Sequence, residues 1–435
     1  MCTTPFVTGA QPGADANDRG ELLRIVIATS LVNGLEIFDF TVFGFFAVVI
    51  GDQFFPAANP MTSLLLAVGT FGVGFFTRPL GATMIGAYAD RVGRRAAMIT
   101  TSWMMALGTA AIGFCPPFAA IGVAAPLIVI AGRLLQGFAA GGETGAAAAF
   151  LMEAGPVSRR GYLVSWQLAG QGAAALLGAS LGALLTSMMS PASLASWGWR
   201  IPFLIGLLIA PVGLYVRRRL RENPFSNSND EAASTLLAEL YREHGMTLIL
   251  ATLMIGGQTV PFYVIVYYMP AYLSRVMHMP AITGFLSSVL AGLLLVAVSP
   301  LSGLLADRQP RRKPMVLVTS GCAALLAYPV FLMIVHAHSV WPVLCGVGIV
   351  SVLLALNASV GTVLVLEAFP GRLRASGRAV SYALGVALFG GTAQFIVTGL
   401  IKWTGDLMSA GWYVASSCLL GFLATALLGE QPART

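Results

Sequence analysis

The chain has 435 residues, of which 57% are hydrophobic and only 10% charged, with a formal net charge of +7 and a mean hydropathy of +0.81. That is more apolar surface than one or two water-soluble cores can bury, so a soluble enzyme or binding module is excluded and the chain reads as a polytopic membrane protein. Long uninterrupted apolar runs also exclude an outer-membrane barrel, which needs alternating segments of about ten residues.

Residues 1–23 are polar and lack the basic-then-apolar layout of a secretory signal, so an uncleaved cytoplasmic tail is expected. A bilayer core takes roughly 20 apolar residues per helix. Such runs fall at 24–52, 61–85, 96–114, 119–148, 163–187, 201–217, 247–274, 282–306, 314–336, 340–366, 377–402 and 409–429. Twelve transmembrane helices are therefore expected, in an all-α fold.

The basic residues, among them Arg94, Arg159, Arg217, Arg312, Arg374 and Arg378, sit in alternate loops, while the opposite loops hold little beyond Arg200, Arg275 and Lys402. Positive loops mark the cytoplasmic side, so both termini are expected there. The same distribution argues against a nucleic-acid partner. A charged, polar stretch at 219–245 reads as a cytoplasmic linker between bundles at 24–218 and 246–430, with a short tail at 431–435.

In the first span Glu36 and Asp39 fall near mid-bilayer at about 1.5 Å per residue. A charge there costs roughly 2.5–3.5 kcal/mol on insertion scales, so the acids face a water-filled cavity or a partner, or form a buried pair with an arginine. The second span ends with Arg78, read as an anchor that snorkels to the headgroups. The fourth span carries Arg133, Gln136, Ala140 and Glu143 on one face, with glycines along much of its length for close packing. Arg133 is placed to pair with Glu36 or Asp39, to receive an anionic substrate, or to alternate between the two. Gln167 and Gln171 on the fifth span, Thr259, Tyr263 and Tyr267 on the seventh, and Asn357 on the tenth either line a central path or pack. Gly390-Gly391 marks a kink in the eleventh span.

The cluster GAYADRVGRR, Gly86–Arg95, returns as GLLADRQPRRK, Gly303–Lys313. Gly86, Asp90 and Arg91 fall opposite Gly303, Asp307 and Arg308 at one constant offset. Glu153 and Gly198-Trp199 recur in the same order as Glu367 and Gly411-Trp412, so the chain is a duplication with six spans per copy. Within each loop the glycine lets helices approach, and the aspartate can take the positive end of a helix or an arginine, which suits a reversible latch. The second copy has Pro310 where the first has Gly93, which weakens the expectation of an equivalent latch there.

No constellation supports an enzyme. His244, His278, His336 and His338 have no ligand spacing, and no phosphate-cradling loop is present, so no metal, cofactor or nucleotide-driven transport is expected. The five cysteines show no metal or redox spacing and are expected as free thiols.

These repeated loops resemble the inter-helix motif of the major facilitator superfamily. NGLEIFDF, FTRPLGATMIGAYADRVGRR, AGRLLQGFAAGGETG, WGWRIPFLIG and EAFPGRLRASG look like its metabolite:proton symporter branch, and FGGTAQFIVTGLIKWTGDLMSAGW is most similar to citrate and tricarballylate carriers. The resemblance implies two pseudo-symmetric six-helix bundles rocking around a central site in the inner membrane. It implies proton-coupled import of a carboxylate, citrate or a related tricarboxylate first, with 2-oxoglutarate, shikimate or proline/betaine as alternatives, by a functional monomer without a cofactor. A drug:proton antiporter is disfavoured, since residues 163–187 lack the proline of that group's fifth-span motif. The resemblance marks Glu36, Asp39, Arg133, Gln136 and Glu143 as the polar centre; Gln171, Tyr263, Tyr267 and Asn357 join it as candidates from their places on the other spans. Asp90, Arg91, Arg94 and Asp307 form the gate, flanked by Arg78 and Arg308.

Overall fold

The computed structural model describes residues 26, 29–30, 33–34, 36–92, 94–141, 148, 151–152, 155–207, 211 and 239–429, without the side chains of 86–87, 89–91, 94–95 and 157. The expected N-terminal tail, the C-terminal tail, Glu143 and most of the linker at 219–245 lie outside the described residues. So does most of the sixth span, described only at 201–207 and 211.

Every described crossing is helical, because inside a bilayer a helix satisfies its own backbone polar groups. The first is α1 (Glu36–Phe45) with α2 (Ala47–Phe54), bent by 69° at Phe46. The second joins α3 (Pro60–Phe76) to α4 (Arg78–Val92). Then follow α5 (Arg94–Gly113), α6 (Ala124–Gly141) and α7 (Arg160–Met188). The second copy comprises α8 (Gly245–Val276), α9 (Ala281–Asp307), α10 (Lys313–Val335), α11 (Val340–Ala368), α12 (Gly371–Thr404) and α13 (Ser409–Leu427). Eleven of the twelve expected spans are thus present as helices among the described residues, five in the first copy and six in the second.

Large apolar side chains face outward where a soluble protein would hide them, Leu325 at 79% and Leu427 at 73% exposure. Trp197, Trp341 and Trp403 are exposed at the end of the molecule opposite the repeated loops, as an interfacial aromatic belt requires.

Within the first bundle, small residues set the spacing. A Cβ on Gly137 of α6 would lie 1.6 Å from the Gly74 carbonyl oxygen of α3, so the two backbones touch where the sequence places glycine. Between the bundles, α7 packs along α9 and α3 along α12. A Cβ on Gly303 of α9 would lie 2.4 Å from the Gly161 carbonyl oxygen of α7.

Two helices are locally unwound. α8 holds π-turns at Tyr263–Tyr268 and Tyr272–Val276, flanked by Pro261 and Pro270, and α12 holds one at Val386–Gly390. Proline removes a ladder donor and crowds the carbonyl four residues back, and the widened turn absorbs both defects. The π-turn in α12 ends at the glycine pair where the sequence places a kink.

Candidate functional site

Four side chains of the first bundle form one directional chain. Arg133 Nη1 donates to Gln136 Oε1 at 2.9 Å, Gln136 Nε2 donates to Thr109 Oγ1 at 2.9 Å, and the Thr109 hydroxyl donates to Asp39 Oδ2. Arg133 and Gln136 are fully buried, Asp39 is 7% exposed and Glu36 8%. Pairing with a first-span carboxylate is one of the roles the sequence leaves open for Arg133. Arg133 instead reaches Asp39 through two intermediates, and its guanidinium lies 3.7 Å above the Phe43 ring, with Phe40 and Phe71 close by. Stacking on ring faces compensates the cation where water cannot. Asp39 has room because Gly206 carries no side chain, and a Cβ there would lie 2.5 Å from Asp39 Oδ1.

Thr109 also lies 3.0 Å from the Met105 carbonyl oxygen. Its single hydroxyl proton therefore has two acceptors. Given to Asp39 it supports an ionised carboxylate; turned to Met105 it leaves a lone pair to accept from a protonated one. The site accommodates both charge states of Asp39 without losing a hydrogen bond.

Arg78 departs from its expected place. It is 3% exposed, with its guanidinium 4.2 Å from the Phe75 ring and 4.8 Å from Phe40. The phenylalanines of α1 and α3 hold it inside the bundle, so it is no headgroup anchor. Tyr263 meets this layer from α8, its ring 5.6 Å from Phe75 and 5.9 Å from Phe71.

Beyond Tyr263 lies a cavity of about 60 Å³ between the halves. Gln167 and Gln171 line it from α7, Gln258 and Tyr263 from α8, Ser359 from α11, and Arg378 with Tyr382 from α12. The structure thus brings Gln171 and Tyr263 together in this cavity. It places Asp39, Arg133 and Gln136 in the relay behind the phenylalanines. Tyr267 is 1% exposed and packs on Phe45 and Phe262. Asn357 donates to the Val316 carbonyl and to Thr319 Oγ1, inside the second bundle.

Arg378, Gln258 and Ser359 are cavity residues the sequence reading leaves out of the site. Arg378 is counted there with the basic loops, although it begins the run RAVSYALG and precedes Tyr382 by one helical turn. Gln258 stands beside Thr259 in an otherwise apolar stretch. Those two positions are the signal that was available.

The end of α9, in the second repeated loop, bridges the two halves. Asp307 accepts from the backbone N–H groups of Gly161 at 2.7 Å and Tyr162 at 2.8 Å, capping α7 of the other half. Pro310 does not prevent this, because the cap uses only the aspartate at the end of α9. Arg312 lies 3.7 Å from Asp307 and 2.6 Å from Glu367, so two repeated sequence anchors meet in one ion-pair network. Arg308 is exposed at the end of α9, and the side chains of Asp90, Arg91 and Arg94 lie outside the described residues.

At the opposite end, Asp52 of α2 pairs with Arg275 of α8, and Lys402 Nζ donates to Thr62 Oγ1 at 2.9 Å. A vestibule of about 610 Å³ opens beside them, lined by Arg275, His278 and Lys402. Among the described residues, then, contacts between the halves exist at both ends.

The sequence model described as "Major Facilitator Superfamily" matches residues 29–393. A citrate-proton symporter of Klebsiella pneumoniae is 36% identical over 420 residues, covering 95% of this chain and 92% of that protein. A proline/betaine transporter of Salmonella typhimurium is 31% identical over 429 residues, covering 96% of this chain and 85% of that protein. Among solved structures, a D-xylose-proton symporter superposes with a TM-score of 0.78 at 17% identity, over 95% of this chain and 99% of that one, which speaks to the fold alone.

Proposed function

The chain belongs to the major facilitator superfamily and is a multi-pass membrane transporter rather than an enzyme, and from that premise we propose that it is a proton-coupled symporter importing a small organic carboxylate, citrate or a related tricarboxylate first. The observation that carries the reading is the buried chain from Arg133 through Gln136 and Thr109 to Asp39. A carboxylate held in apolar surroundings, tied to a cation and able to keep its hydrogen bonds in both charge states, is suited to carry a proton across a conformational change.

In this reading the bundles at 24–218 and 246–430 rock around the central cavity, and the functional unit is a monomer in the inner membrane. The repeated loops and both termini face the cytoplasm, and the Asp52–Arg275 end faces outward. Protonation of Asp39, or of Glu36 near it, loosens the hold on Arg133, and charge compensation by proton and substrate together permits closure. The resident driving force is the proton gradient, without a cofactor.

A second reading is a zwitterion such as proline or betaine. The 31% identity to a proline/betaine transporter favours it, as do the Phe262 and Tyr263 rings in the cavity wall, aromatic groups of the kind that attract a quaternary ammonium.

Uptake of radiolabelled citrate into energised vesicles, with tricarballylate, 2-oxoglutarate, shikimate and betaine as competitors, tests both. Uptake that an uncoupler abolishes and tricarballylate blocks is expected. Uptake of betaine with none of citrate would move the assignment to the zwitterion.

A further inference from the structure

We propose that Arg378, with Gln258 and Ser359, is the seat of a substrate carboxylate in the second half of the molecule. The inference rests on the carboxylate reading above and supplies the residues that reading lacks.

Arg378 is 5% exposed and lines the central cavity. Its Nε and Nη1 have no hydrogen-bond acceptor, and no acidic residue is among those lining the cavity. The guanidinium lies 4.4 Å from the Tyr382 ring. That contact engages the face of the cation and leaves the N–H groups on its edge undirected. Gln258 and Ser359 line the same cavity, and Gln258 Nε2 and Ser359 Oγ, both buried, have no partner either.

Three side chains that carry unsatisfied donors, one each from α8, α11 and α12, therefore line one cavity. Buried donors are rarely left unpaired, and a buried cation without an anion costs several kcal/mol, so the arrangement is complete only with an acceptor-rich anion in place. A carboxylate meets the demand: its two oxygens accept from the guanidinium and retain lone pairs for the amide and the hydroxyl. Phosphate would satisfy the donors as well, but it is larger and carries more charge than one guanidinium neutralises.

The same wall offers no carboxylate for an ammonium. A zwitterion would place its positive end near Arg378 with only ring faces to hold it. The seat therefore discriminates by net charge, for anions and against zwitterions. Because all three donors belong to the second half while Asp39 and Arg133 belong to the first, substrate and proton are held on opposite sides of the interface that must move.

The test is equilibrium binding of labelled citrate to the purified full-length protein, with tricarballylate and betaine as competitors. The variants are Arg378→Gln and Gln258→Glu, each checked for folding by its thermal transition and elution profile. Arg378→Gln is expected to weaken citrate binding about 10- to 100-fold, the range for a hydrogen-bonded charge. It is also expected to narrow the preference for citrate over betaine, which a merely structural arginine would not do. Gln258→Glu supplies a carboxylate from the protein itself and is expected to occlude the seat, with a loss of similar size and a normal fold. Citrate binding unchanged in both variants would overturn the seat and leave the symporter reading standing. Folded wild-type protein that binds none of these anions would remove the carboxylate reading and the seat together.

Discussion

A threonine hydroxyl at position 109 stands between a carboxylate and a carbonyl, and that placement decides what Asp39 can do. Removing the charge while keeping the shape tests it. Asp39→Asn is expected to abolish uphill uptake while retaining exchange of labelled for unlabelled substrate in counterflow, because the path stays open and only the coupling is lost. Loss of both would make Asp39 part of the substrate site. The members of this relay were legible in the sequence, since Asp39, Arg133 and Gln136 are costly inside an apolar run and invite explanation. Thr109 was not, because a hydroxyl in a membrane helix ordinarily satisfies itself on its own backbone. Arg378 was hidden for a different reason: seven residues into a segment that opens with two basic loop residues, it reads as a third. Only the fold shows that it lines a cavity with donors left unpaired.

Helices meet in this molecule at glycines, and the tolerance for change varies sharply from one glycine to another. Gly137→Leu forces a side chain into the Gly74 carbonyl oxygen. Overpacking ordinarily costs about 1–3 kcal/mol, and here the obstacle is backbone that cannot swing aside, so a greater loss is expected. Gly245→Ala, with nothing within 4 Å of the added methyl, is expected to stay within about 0.5 kcal/mol of the parent. Thermal transitions in detergent read both. Helix existence and order were plain from apolar length alone, and the glycine face of α6 was visible by spacing. The π-turns of α8 were not, because they arise from how Pro261 and Pro270 are accommodated in three dimensions. The latch at Asp307 shows the converse error: Pro310 looked disruptive, yet it lies beyond the aspartate that makes the cap.

At the scale of the whole molecule the two ends are closed by different physics. Asp307 and Arg312 are nearly buried, with side-chain exposures of 7% each, whereas Arg275 and Asp52 are exposed at 22% and 50%. An exposed pair contributes about 0–1 kcal/mol, enough to shift a balance between conformations up to about fivefold. Asp52→Asn is accordingly expected to raise the labelling rate of a cysteine at position 274, in the vestibule, by an impermeant maleimide several-fold in a cysteine-free background. An unchanged rate would show that the pair does not hold that end.

Salt acts on these two closures unequally. Mobile ions shrink the reach of a charge in water from about 10 Å at 0.1 M to about 3 Å at 1 M, and they scarcely enter a buried network. Brine around the Asp52–Arg275 end would therefore loosen one door while leaving the other shut. The resting distribution of the transporter would then tilt toward the medium that surrounds it, making the salinity of that medium a regulator that needs no binding site of its own.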